Sequence, residues 1–275
     1  VLLSSFSLFT GFVTHLTINV LDYNFIINHS DNLSLPFAIV FHIAAFITII
    51  YGSHKDDWKE NIAVISYAGA AIAALHAGDL FTLFFWWEAT AFTSVFLILG
   101  GNTTRAYRAA FRYIVIQVGS GMFLLAGAVL FLYSNGNALL GQMSIDDTSG
   151  LLIFLAFGIK AAFPFLNGWL QDTYPEASEV GTVALSSFTT KLAIYALARS
   201  FAGTDILIYI GALMTFFPIF FAVIENDLRR VLAYSLNNQL GFMVVAVGIG
   251  TELAINGAVA HAFAHIIYKG LLFMS

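Results

Sequence analysis

The stretch LLIFLAFGIKAAFPFLNGWL, Leu151–Leu170, has the length of a membrane-spanning helix but not its uniformity. Lys160 stands near its middle, Pro164 follows four residues later, and Gly168 and Trp169 come just before its end. A lysine at that depth costs about 3 kcal/mol on insertion scales, so it faces other protein or water rather than lipid. Pro164 has no N–H to offer the carbonyl of Lys160, and its ring presses against that turn. The helix is therefore expected to kink or break beside its charge. A broken helix carrying a charge is one way in which membrane proteins build ion pathways.

The rest of the chain has the composition to surround such a helix. Of 275 residues, 59% are hydrophobic and only 10% charged, and the mean hydropathy is +0.85. Soluble domains carry about 25% charged residues, so the fold class is an all-α polytopic membrane protein. Cysteine is absent, which excludes disulfides and thiolate-bound metals. The net charge of −5 resides in the loops and points to no nucleic acid. Val1 opens directly in an apolar run without a basic leader, and Ser275 ends inside another, so the chain reads as a fragment of a longer protein.

Ten apolar segments can be drawn, at 2–21, 35–52, 62–77, 80–99, 111–133, 151–170, 181–200, 206–224, 231–249 and 253–275. The first is diluted by Ser4, Ser5, Thr14, His15 and Asn19. Short polar turns such as GSHKDDWKEN, GGNTTRAYR and IENDLRR separate the others, and no linker marks a second domain. Ten spans put the loops alternately on two sides. One side collects Lys55, Lys59, Arg105, Arg108, Arg112, Arg229 and Arg230, whereas the other has only Arg199. Positive charge marks the cytoplasmic side. The remaining basic residues, Lys160, Lys191 and Lys269, all lie inside spans, and among the acids only Glu88 sits at mid-span.

With His261 and His265, these make six ionisable groups within the membrane. The run HAFAHIIYK spaces His261, His265 and Lys269 four residues apart, a stripe about 12 Å long on one helix face. Such a stripe can pass protons from turn to turn, because histidine titrates near neutrality and a desolvated lysine can release its proton. Lys160 and Lys191 are the candidates to load and release a proton, biased by Glu88. Blander readings exist for each. Glu88 can be a static partner of Lys160, and His261 a packed, hydrogen-bonded residue. The His261/His265 pair suits a metal by spacing, but no HExxH or ExxH accompanies it, so neither metal nor cofactor is expected.

Four features together resemble one superfamily. They are the glutamate of the WWE helix, the lysine before a helix-breaking proline, TTKLAIYALAR, and HAFAHIIYKGLLF. The superfamily comprises the antiporter-like subunits shared by respiratory complex I, membrane-bound hydrogenases and Mrp-type multisubunit sodium/proton antiporters. FPIFFAVIENDLRRVLAYSLNNQLGFM adds to the likeness, which runs from about Ile62 to Ser275 and is closest in flavour to the D-type subunit of Mrp antiporters. The resemblance implies a fold of about fourteen helices with two inverted five-helix repeats, each containing a broken helix. Residues 1–61 would then be peripheral N-terminal helices, 62–200 the first repeat, and 201–275 the start of a truncated second. By position, Glu88 matches the family's glutamate at the interface with a neighbouring subunit. Lys160 matches the lysine of the first broken helix, and Lys191 the lysine or histidine after it. His265 and Lys269 match the pair leading to the second half-channel, and His261 is a looser match.

Two departures matter. Many relatives carry a histidine before the tryptophan where this chain has Asn167-Gly168-Trp169, and YPEASEVGTVALSS lacks the proline-rich APTPVSALLH of complex I subunits. Both favour the Mrp-like branch. The resemblance thus implies a proton-translocating subunit of a monovalent cation (Na+)/H+ antiporter, lying with other integral membrane subunits in a prokaryotic plasma membrane. The alternatives are a proton-pumping subunit of a complex I-like NADH:quinone oxidoreductase or hydrogenase, a subunit of energy-coupled inorganic-carbon uptake, and a membrane enzyme using the histidine pair with a metal.

Overall fold

A computed structural model describes residues 16–20, 23–55 and 57–275. Two short strands, β1 (Leu16–Val20) and β2 (Tyr23–Asn28), form an antiparallel hairpin. Helices follow: α1 (Ser34–Gly52), α2 (Trp58–Leu75), α3 (Leu80–Leu99), α4 (Thr104–Asn135), α5 (Thr148–Lys160) and the short α6 (Gly168–Thr173). After a 3-10 turn at Tyr174–Glu176 come α7 (Glu179–Ser187), α8 (Thr189–Ser200), α9 (Ile206–Ile224), α10 (Leu228–Ile249) and α11 (Glu252–Met274).

The polar turns seen in the sequence are the helix caps. Side chains of Asp57, Asp79, Thr103, Asp227 and Thr251 accept the first free N–H groups of α2, α3, α4, α10 and α11. Gly136 and Gly250 end α4 and α10 at φ +70 and +69, a left-handed conformation that glycine adopts without a Cβ penalty. Between α9 and α10 the approach is close: a Cβ on Gly241 would collide with the carbonyl of Gly211 and with Thr215.

Seven helical stretches among the described residues are long and apolar enough to cross a membrane, α7 and α8 together counting as one. The differences from the ten-segment reading have local causes. Residues 16–20 of the first segment are a strand, with the β-branched Thr17, Ile18 and Val20, and the remainder of that segment lies outside the described residues. Among the described residues before Trp58 the elements are the hairpin and one helix, α1. The 62–77 segment is helical but starts at Trp58 and takes in Lys59, Glu60 and Asn61, which dilute its hydropathy. The 151–170 segment is broken at Lys160, the last residue of the 13-residue α5.

The bundle has two chemically distinct ends. At one, Lys55 pairs with Glu179 at 2.9 Å, Arg112 with Asp172 at 3.3 Å, and Arg229 reaches the carbonyl of Ala177 at 3.3 Å. This is the basic end, and the loops read from the sequence as one side do meet there. At the other, Arg199 binds Asp31, Leu80 N–H binds the carbonyl of Ala138, and Met143 N–H that of Ser200. The hairpin also sits there, because Asp79 accepts the Ile26 N–H at 2.7 Å. Through the middle runs the α7–α8 span, buried throughout its apolar window. It packs against α1, α2, α3, α5, α10 and α11.

Candidate functional site

Helix α5 enters from the end opposite the basic loops and stops at Lys160. The break is tighter than a proline kink. Ala162 and Phe165, on either side of Phe163-Pro164, take φ of +61 and +67, a conformation that residues with a Cβ rarely adopt. The Trp169 indole N–H, from α6, donates to the carbonyl of Ile159 at 2.9 Å, which also accepts the Ala162 N–H at 3.1 Å. Trp169 is held in turn by Tyr113 and Tyr174, with ring centroids 5.6 and 5.9 Å away.

The Lys160 side chain is wholly buried. Its ammonium donates to the Trp87 carbonyl and to Thr90 Oγ1, both at 2.8 Å, and lies 4.1 Å from the centre of the Trp87 ring. The Thr90 hydroxyl itself donates to the Trp87 carbonyl at 2.7 Å. The cation is therefore held by neutral oxygens and a π face, all from α3.

Glu88 lies between those two ligands on α3 and does not pair with Lys160: its buried Oε1 has no hydrogen-bond partner. A static Glu88–Lys160 ion pair is not formed. Gly121 on α4 makes the room for this carboxylate, since any Cβ there would collide with Oε1.

Lys191 shows a second break that the sequence reading missed. The predicted 181–200 helix divides at Phe188 into α7 and α8, and the Lys191 ammonium reaches back to the Ser186 carbonyl at 2.5 Å. Tyr67 from α2 stabilises the interruption: its hydroxyl accepts the Thr189 N–H at 3.0 Å and also bonds Thr189 Oγ1. The only sequence signal is the polar run SSFTTK at 186–191, without glycine or proline. Lys160 is thus the last residue of one half-helix, α5, and the Lys191 ammonium binds the C-terminal end of another, α7. These ends come from opposite faces of the bundle.

On α11, His261, His265 and Lys269 do form one stripe, matched by a second on α10. His261 Nε2 meets Gln239 Oε1 at 3.0 Å, and Lys269 donates to Ser235 Oγ at 2.9 Å. Between them His265 is fully buried, and neither ring nitrogen has a protein partner. The His261 and His265 rings are 6.1 Å apart. Buried Gln117, Gln171, Thr190 and Asn237 also have side-chain atoms without protein partners. Buried polar groups of this kind are usually satisfied by ordered water. Among the described residues, no group of three or more His, Asp or Glu side chains is placed to hold a metal.

Comparisons with known proteins agree with this architecture. Residues 77–275 match the family model described as NADH:quinone oxidoreductase/Mrp antiporter, TM. The chain is 32% identical over 222 residues to the D subunit of the Na(+)/H(+) antiporter of Alkalihalophilus pseudofirmus, covering 73% of this chain and 45% of that protein. It is 26% identical over 279 residues to NADH-quinone oxidoreductase subunit M of Escherichia coli (strain K12), covering 89% and 54%. A chain of the Mrp complex from Dietzia sp. DQ12-45-1b superposes with a TM-score of 0.83 at 23% identity, over 90% of this chain and 50% of that one, which shows a shared fold. The chain spans about half the length of these relatives.

Proposed function

The chain belongs to the NADH:quinone oxidoreductase/Mrp antiporter transmembrane family, and from that premise we propose that it is a proton-translocating subunit of a multisubunit monovalent cation/proton antiporter. Sodium is the cation this reading favours, because the Na(+)/H(+) antiporter protein is the relative with the higher identity of the two compared. The other subunits would be integral membrane proteins, and the membrane the plasma membrane of a prokaryote. In this reading residues 62–200 form one repeat and 201–275 open a second. Glu88, Lys160, Lys191, His261, His265 and Lys269 carry the proton without any bound cofactor.

One observation carries the proposal: Lys160 is fully buried at a helix break, its ammonium bound by neutral oxygens on either side of Glu88. A purely structural lysine at that depth would be expected to pair directly with the acid. An ammonium that is solvated but not neutralised can give up its proton without abandoning an ion pair. The same logic applies to Lys191 on the Ser186 carbonyl and to Lys269 on Ser235.

The test uses the full-length protein with its partner subunits in everted vesicles, a pH-sensitive dye, and additions of sodium, potassium or lithium. Cation-triggered proton flux that is lost in Lys160→Ala supports the proposal. The second reading, a redox-driven proton pump, is favoured by the 89% coverage in the match to the NADH-quinone oxidoreductase protein. It predicts no response to any cation, and flux on adding NADH.

A further inference from the structure

Lys191 begins a stripe of its own. Tyr195 and Arg199 follow at four-residue intervals on α8, so the three side chains share one helix face over about 12 Å. That face leads from mid-membrane to the end of the bundle opposite the basic loops. Arg199 lies 5.1 Å from the centre of the Tyr195 ring, and Tyr195 donates its hydroxyl to the Leu75 carbonyl at 2.7 Å.

At the mouth of this stripe, one Nη of Arg199 donates to both oxygens of Asp31, at 2.7 and 2.8 Å. Arg199 is turned inward, 10% exposed, while Asp31 is 35% exposed and faces out. Asp31 is fixed independently, because its Oδ1 also accepts the Leu33 and Ser34 N–H groups at the start of α1. The other titratable groups at this mouth are His29, 3.9 Å from Asp31, and His76, whose Nδ1 meets Ser30 Oγ at 2.9 Å. His42, on α1, lies close to His76.

We propose that Arg199, anchored by Asp31, is the gate of a second proton path, Lys191–Tyr195–Arg199, and holds it closed at this end. The inference rests on the proton-translocating reading of Lys191, and the path is separate from the His261–His265–Lys269 stripe. A guanidinium stays charged at every accessible pH, and a fixed positive charge in a narrow polar route excludes protons and cations. Without its anchor the side chain would extend toward water, as long basic side chains at helix ends do, and uncover the stripe. The arrangement would keep Lys191 from short-circuiting to this face while it exchanges protons with the interior.

The experiment measures passive dissipation of an imposed pH gradient in vesicles holding the full-length protein and its partner subunits, with no transported cation added. Arg199→Gln is expected to speed dissipation about tenfold or more over wild type, since the barrier charge is gone. Arg199→Lys, which keeps the charge, stays tight. Adding Lys191→Ala to Arg199→Gln removes the leak, because the path starts at Lys191. A tight Arg199→Gln variant would overturn the gate, and so would a leak that survives Lys191→Ala, which would mark a generally damaged bundle. Cation-triggered flux in wild-type vesicles is read separately. Its absence would count against the antiporter reading, while the leak comparison still decides the gate.

Discussion

Replacing Thr90 by valine removes a hydroxyl and changes little else, because the two side chains have nearly the same shape. Thr90 is 1% exposed, and its Oγ1 is one of two protein oxygens accepting from the Lys160 ammonium. No carboxylate is bonded to that ammonium to take up the loss. A hydrogen bond to a charged group contributes about 1.5–3 kcal/mol. At 1.4 kcal/mol per factor of ten, the loaded state should become about 10- to 100-fold rarer. If loading of Lys160 limits transport, cation-triggered flux in vesicles should fall by the same factor, with the protein still assembled. Thr90→Ser keeps the acceptor and should stay within about twofold, since the lost methyl is small. Wild-type flux in the valine variant would refute the idea that these neutral oxygens hold Lys160 in its charged form.

Other outcomes follow from neighbouring contacts. Gly121→Val should displace the Glu88 carboxylate, and proton flux should drop well below that of Gly119→Val, where a Cβ meets nothing within 4 Å. Tyr67→Phe leaves the buried Thr189 N–H without its acceptor, a loss of about 1–3 kcal/mol that thermal unfolding of the purified protein would register. Burial pushes the Asp31 carboxyl up, but its bonds to Arg199 and Ser34 more than offset this and hold it below the usual carboxylate range. Its contribution is therefore complete above the unfolded value of about 3.9 and is lost as pH falls through the lower folded value. Passive proton leakage should accordingly stay flat from neutrality to about pH 4 and rise only below it; an onset near pH 6 would contradict the Arg199–Asp31 bonding.

What the sequence conveyed depended on whether a feature was local. The α9 helix, Ile206–Ile224, is an apolar run bounded by Asp205 and Glu225, and its predicted limits coincide with the structure. The break at Lys160 was legible because Pro164 announces it four residues away. The break at Phe188 was not, because the hydroxyl that stabilises it comes from Tyr67, 122 residues before its partner Thr189. Charge counting paired Glu88 with Lys160, yet the lysine binds the residues either side of that turn. Backbone carbonyls leave no mark in an amino-acid sequence, so the ligands Trp87 and Ser186 could not be read. The hairpin was missed because LTINV, read as the tail of an apolar run, gives the same hydropathy whether helical or extended.

The two half-helix ends carry one further consequence. Helix α5 arrives from one face and α7 from the other, and each points its C-terminus, worth about half a negative elementary charge, toward the interior. At the second break the positive start of α8 at Thr189 faces the α7 end and offsets part of it, so the larger uncompensated negative end is that of α5. Lys160, Lys191 and the equally buried Lys269 gain and lose their charge, whereas these peptide dipoles do not. A proton leaving Lys160 or Lys191 leaves behind carbonyls and helix ends that still favour a cation, and they draw the next proton to the same place from whichever side is open.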